Sequence, residues 1–284
     1  MKIALCQTTV YKDWRKNIRN AERVIGEAAR AKADMVVLPE MFICPYNKKA
    51  VAAAAQPANG EAWQMMAEAA EKNHVYLVAG SMPEAEDGNI YSTAYVFDRQ
   101  GKQIGRYRKM HMFDIDVKGG QYYRESDVLN PGSEITVVPT EFGPIGVAIC
   151  YDVRFPEMFR LMEQKGAKAV VIPASFNRTT GPAHWELLMR SRALDQQLYI
   201  LGCAAAADLA GSYNGWGHSI AVTPWGDIME ELGEGPGMLM ADLDFAYMDE
   251  VRREIPVLSQ RRSDVYEVCE KESGYAEKAL TKGQ

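Results

Sequence analysis

Histidine and cysteine are scarce in this 284-residue chain, and neither is grouped. The four histidines, at 74, 111, 184 and 218, form no H-x-x-x-H pair, which argues against a histidine-rich metal centre. The five cysteines, at 6, 44, 150, 203 and 269, are odd in number, widely spaced and without C-x-x-C. That pattern fits neither a disulfide framework nor a zinc site. Long apolar runs are missing as well. The longest, 198–207, has ten residues, too few to span a bilayer. No apolar signal region follows Met1-Lys2-Ile3-Ala4-Leu5-Cys6-Gln7, so a soluble, cytoplasmic protein is expected. Positive charge is in deficit: 32 Lys and Arg against 38 Asp and Glu leave a net charge of −6. Neither nucleic acid nor a membrane is an expected partner. There is no G-x-G-x-x-G and no Walker motif, and neither a cofactor nor a metal is expected.

What is present is alternation. Short Val- and Ile-rich runs, at 3–6, 35–38, 75–80, 145–150, 169–172 and 198–203, are separated by amphipathic helical patterns over about 14–31, 61–72 and 155–165 and a helix opened by Pro182. Strands alternating with helices predict an α/β layered domain. The pattern also repeats. Ala33 to Phe42 (ADMVVLPEMF) parallels Ala167 to Phe176 (AKAVVIPASF), and Ile3-Ala4-Leu5-Cys6 parallels Val147-Ala148-Ile149-Cys150. We read two β-α-β-α-β-β-β halves sharing one core, as two sheets between helical layers, within one domain over 1–266. A tail, 267–284, follows. The charged stretch from Asp244 onward has no strand signal and reads as a solvated helix or, preferably, an arm docking on a second subunit.

In α/β sheets, sites collect beyond the carboxyl ends of strands. Three reactive side chains stand there: Glu40 after Met35-Val36-Val37-Leu38-Pro39, Lys109 after Ile104 to Arg108, and Cys150 after Ile145 to Ile149. A thiolate is a strong nucleophile. A carboxylate can take its proton and later activate water, and an ammonium can stabilise an oxyanion. Each alone has an ordinary structural explanation; the set together is a chemical one.

The segments carrying this set, Leu38-Pro39-Glu40-Met41-Phe42, Tyr107 to Phe113 (YRKMHMF) and Cys150 to Glu157 (CYDVRFPE), resemble the three catalytic motifs of the nitrilase superfamily of carbon–nitrogen hydrolases, over nearly the whole chain. The resemblance implies an α-β-β-α sandwich, usually a dimer or larger. It implies Glu40 as general base, Lys109 as transition-state stabiliser, Cys150 as nucleophile, Glu125 as an assisting carboxylate and the Tyr151 N–H as oxyanion donor. Cys150-Tyr151-Asp152 departs from the C-W-E of true nitrilases. With Phe113 to Val117, Phe176 to Leu188 and the ending Ile255 to Tyr266, it resembles the omega-amidase branch. That branch hydrolyses 2-oxoglutaramate and 2-oxosuccinamate to dicarboxylates and ammonia; deaminated glutathione amidase is its sister. Met112, and the loop 117–123, depart from the family's usual residues, and the loop bears on substrate choice.

A carboxylate-bearing substrate calls for a cation, and Arg154 lies four residues past the nucleophile; its alternative role is an ion pair with Asp152 or Glu157. Tyr46 and Phe176 are candidate pocket walls, or plain core. His111 reads as a supporting residue, and His184 and Trp185 as the packed start of a helix. The rival readings are a Cys–His–Asp protease or transferase, a nitrile hydrolase and a non-catalytic binding module.

Overall fold

The computed structural model describes residues 1–207 and 215–271; most of the expected tail lies outside them. The first half runs β1 (Lys2–Gln7), α1 (Trp14–Arg30), β2 (Met35–Val37), α2 (Lys48–Ala54), α3 (Glu61–Asn73), β3 (Tyr76–Glu86), β4 (Asn89–Phe97) and β5 (Gln103–Arg108). A small hairpin, β6 (Asp114–Asp116) and β7 (Tyr122–Arg124), and then β8 (Thr136–Val138) lead to the second half. That half is β9 (Ile145–Val147), α4 (Pro156–Gln164), β10 (Ala169–Ala174), α5 (Gly181–Gln196), β11 (Tyr199–Ala204), β12 (Ile220–Val222) and β13 (Ile228–Glu231). Strand β14 (Gly237–Asp242) and helix α6 (Phe245–Glu254) close the described chain's regular structure.

The duplication is visible in the pairing. One sheet has the order β14-β1-β2-β3-β4-β5 and the other β13-β12-β11-β10-β9-β8. In each half the first three strands are parallel and the last two antiparallel. The halves also exchange a strand, which the sequence did not suggest. β8 follows the first half but pairs with β9, and β14 follows the second half but pairs with β1. Each sheet therefore needs both halves.

Period-2 alternation assigns the faces. Ile3 and Leu5, Met35 and Val37, and Val78 point at the second sheet and join its Val147, Val171 and Leu201 in one core. Their neighbours Ala4, Cys6, Val36, Leu38 and Leu77 pack under α1 and α3, against Ile18, Ile25 and Met66. Both faces of the inner strands are buried, so their sequences read as continuous apolar runs rather than alternating ones. On the outside of the second sheet, Trp185 and Met189 of α5 cover Gly202 of β11, where a Cβ would come within 2.7 Å of the indole. Among the described residues, no helix is long and apolar enough to cross a membrane.

Two local expectations are corrected. The strand before Cys150 stops at Val147, and Cys150–Arg154 is a single 3-10 turn ahead of α4. The charged stretch after Asp244 does not begin as a free arm. It forms α6, capped by the Asp244 side chain, with Met248 and Val251 buried on the same chain. Beyond it, Arg261 donates to the Asp195 carbonyl and the Gln196 side chain at the end of α5.

Candidate active site

Glu40, Lys109 and Cys150 arrive from three different strand ends and meet at the carboxyl edge of the two sheets. Glu40 follows β2, where the chain turns through Met41 at φ +53°. The Met41 N–H donates to Ser81 Oγ, Ser92 Oγ donates to Ser81 Oγ, and the Lys109 N–H donates to the Ser92 carbonyl. One polar thread thus ties the Glu40 turn to the end of β5. Gly80 makes the approach possible: at φ +28° its missing Cβ would sit 2.0 Å from the Pro39 carbonyl oxygen. Glu125 opens a 3-10 turn after β7. Its side chain accepts from the Phe113 N–H at 2.6 Å while its own N–H donates to the Phe113 carbonyl.

The side chains form one buried charged cluster. Lys109 Nζ lies 2.8 Å from Glu40 Oε1 and 2.9 Å from Glu125 Oε1, with all three side chains fully buried. Tyr46 Oη donates to Glu125 Oε1 at 2.6 Å and stands 3.2 Å from Glu40 Oε1. Tyr46 is therefore part of the cluster as well as a wall of the neighbouring cleft. Burial alone would strip the charge from Lys109, but Glu125 and Glu40 outweigh it and hold the ammonium well above its ordinary pKa. Burial pushes the Glu40 carboxyl up, against the pull of Lys109. Burial, and then Glu40, push the Cys150 thiol well up, while Lys109 and the Ser175 N–H favour its thiolate. Among the described residues no nitrogen or oxygen donor reaches Glu40 Oε2, and Cys150 is close enough for each to shift the other's titration. The Cys150 thiol thus stands beside the Glu40 carboxyl, on which Lys109 and Tyr46 engage the other oxygen.

Cys150 itself takes φ +48°, a left-handed conformation that costs a non-glycine residue about 1–3 kcal/mol. At the start of this turn the Tyr151 N–H makes no backbone bond outside the turn among the described residues, as first-turn donors generally lack an intrahelical partner. Cys150, Tyr151, Arg154, Phe176 and Ser175 line one small pocket. Arg154 makes neither of the ion pairs weighed for it. Asp152 is already taken by Tyr107 and His111, and Arg154 instead meets His184 Nδ1 at 3.2 Å. Its Nε is buried without a partner among the described residues, and its guanidinium lies 5.4 Å from the Phe176 ring centre. Phe176 also packs on Trp185 at 4.7 Å, so it is wall and core at once. His184 is exposed rather than packed, while Trp185 is buried as expected. No histidine is hydrogen-bonded to Cys150 among the described residues. No group of three or more His, Cys, Asp or Glu among them is arranged to hold a metal ion.

The carbon–nitrogen hydrolase family profile matches residues 2–253. The chain belongs to the carbon–nitrogen hydrolase family. Among its relatives, the omega-amidase NIT2 of Xenopus tropicalis is 41% identical over 272 residues, 96% of this chain and 99% of that one. The crystal structure of Saccharomyces cerevisiae Nit3, a member of branch 10 of the nitrilase superfamily, superposes with a TM-score of 0.85 at 37% identity, covering 92% of this chain and 96% of that one. A Nesterenkonia amidase, 26% identical with a TM-score of 0.75 over 90% of this chain and 98% of its own, carries acrylamide added at its active-site cysteine. This carbon–nitrogen hydrolase is thus an amidase of the omega-amidase-like branch. Reading the sequence missed Ser175, Tyr107 and Asp152 as parts of the site. The last two carried a signal: Tyr107 and His111 flank Lys109 at spacing two, and Asp152 follows Cys150 at the same spacing.

Proposed function

We propose that the enzyme hydrolyses the ω-amide of a small 2-oxo dicarboxylic acid, 2-oxoglutaramate or 2-oxosuccinamate, through a thioester on Cys150. The observation that carries this reading is the pocket itself: a buried, unpaired guanidinium nitrogen of Arg154 shares it with the thiol. A guanidinium matches a carboxylate in charge and donor geometry. Glu40 takes the thiol proton, and the sulfur attacks the amide carbon. Lys109 and the Tyr151 N–H stabilise the oxyanion. The C–N bond breaks, Glu40 returns the proton to nitrogen, and ammonia leaves. Glu40 then deprotonates water, which attacks the thioester; the C–S bond breaks, and the sulfur regains its proton. Glu125 and Tyr46 keep Lys109 in place. The test is ammonia release from 2-oxoglutaramate by the wild type and by Cys150→Ala. Rapid release that vanishes in the variant is expected; no release from folded wild type overturns the substrate.

One feature supports deaminated glutathione as a second substrate. On the Glu40 side a cleft of about 830 Å³ opens, with Lys12 and Lys49 on its lining and Glu40 the only acid there among the described residues. Ammonia needs no such space, whereas a peptide leaving group bearing a carboxylate would find room and cations there. Parallel rates on 2-oxoglutaramate and deaminated glutathione decide between them.

The same reading includes a homodimer or larger assembly of this chain and a cytoplasmic location. Helix α5 buries Trp185 and Met189 yet exposes Leu187 and Leu194 on its other side, and the turn between β12 and β13 adds the exposed Trp225 beside them.

A further inference from the structure

Asp152 is fully buried and has no part in the chemistry described above. Its two oxygens are nonetheless completely used. Oδ2 accepts from Tyr107 Oη at 2.7 Å and from the Ile149 N–H at 2.9 Å. Oδ1 accepts from the His111 N–H at 3.0 Å and faces His111 Nδ1 at 2.8 Å. A carboxylate only accepts, so His111 Nδ1 carries the proton there. The His111 ring is further held flat against Phe155, with centres 3.6 Å apart.

The donors come from two places that matter. Tyr107 and His111 sit two residues before and two after Lys109, so they bracket it on the arm leaving β5. Ile149 immediately precedes Cys150, and Asp152 lies two residues beyond it. One carboxylate therefore grips the Lys109 arm at both ends and the Cys150 turn at both ends. Among the described residues Lys109 has no other link of this kind to the Cys150 turn; its ammonium bonds to Glu40, Glu125 and Tyr46.

We propose that Asp152 is a positioning residue that sets the distance between Lys109 and Cys150, and with it the alignment of the ammonium on the oxyanion. The inference rests on the reading of Cys150 as nucleophile and Lys109 as oxyanion stabiliser. It requires an acceptor at both oxygens. Asparagine cannot replace aspartate: wherever its NH2 is placed, it faces one backbone N–H, either that of Ile149 or that of His111. Misplacing a reacting group by about 1 Å can cost 10²-fold in rate.

The experiment compares the full-length wild type with Asp152→Asn, Tyr107→Phe, His111→Ala and His111→Asn on an ω-amide that the wild type turns over. Reactive sites are counted by alkylation of Cys150, localised by peptide mass. Asp152→Asn is expected to lose roughly 10²-fold in kcat per alkylatable site, with KM within a few-fold. His111→Asn, which keeps a side-chain N–H, should recover most of what His111→Ala loses. The Tyr107→Phe/His111→Ala double variant carries the same expectation as Asp152→Asn and replaces it if that chain does not fold. An unchanged kcat per alkylatable site, or a loss confined to KM, overturns the proposal. The nucleophile reading is tested separately by wild type alkylated at Cys150. If that protein keeps its turnover, the nucleophile reading falls and the role of Asp152 with it; if it stops, the variants judge Asp152 alone.

Discussion

In the proposed mechanism Glu40 does two things that conflict. As a base it has to be ionised, yet burial raises its pKa above the ordinary 4.5; the raised value makes it a stronger base toward the thiol but a weaker acid toward the leaving amine. As pH falls through that raised value Glu40 becomes protonated and the attack stops. The acid limb of kcat/KM is therefore expected above pH 4.5, and a pH–rate profile with its limb at or below that value would contradict the role. Lys109 balances Glu40 and Glu125 at once. Lys109→Met leaves two adjacent buried carboxylates without a cation, and it is expected to cost roughly 3–5 kcal/mol at neutral pH. The orphaned carboxylates then have folded-state pKa values above their unfolded ones, so the missing stability returns as they protonate. Urea unfolding at neutral and mildly acidic pH should show the gap between variant and wild type narrowing in acid. A gap that widens would mean that Lys109 does not offset these charges.

At the scale of elements, the reactive groups sit on short turns held by buried polar side chains rather than on regular structure. Cys150 occupies a left-handed turn, and Glu40 lies directly before another at Met41. Gly80 in β3 is the backstop of the second. Gly80→Ala puts a Cβ 2.0 Å from the Pro39 oxygen and 2.9 Å from that of Leu38, at a φ of +28°. Roughly 1–3 kcal/mol of destabilisation is expected, with a fall in kcat because Pro39 directly precedes Glu40. Thermal unfolding and steady-state kinetics on the same preparation check both. Stability lost at full kcat would show that Glu40 does not depend on this packing.

At the scale of the molecule, the strand exchange makes the halves interdependent. β8 and β14 complete the sheets of the opposite halves, so neither half can close its own sheet if separated. The exposed Leu187 and Leu194 of α5 raise the next level of assembly, since an apolar stripe on the outside of a helix usually has a partner. If that partner is a second copy, Leu187→Asp with Leu194→Asp lowers the sedimenting mass toward 31.7 kDa. An oligomer unchanged by both substitutions would place the contact elsewhere.

The strand and helix pattern, the duplication and the set Glu40, Lys109 and Cys150 were legible in the chain; Glu125 came only with the family resemblance. Apolar periodicity and residues at strand ends are local properties. The same reading missed β8, β14 and α2. Those strands take meaning only from partners in the other half, and α2 is a short helix in what reads as a loop. Arg154 could be placed near Cys150 from spacing alone, but not freed from Asp152. Nor could spacing show that one buried carboxylate holds the arms of both Lys109 and Cys150. Which acceptor a donor finds, and which charge is left unpaired, depends on distances across the fold. Only the tertiary structure decides those, because the groups involved lie far apart in the chain (41 residues for His111–Asp152 and 45 for Tyr107–Asp152) yet within hydrogen-bond reach in space.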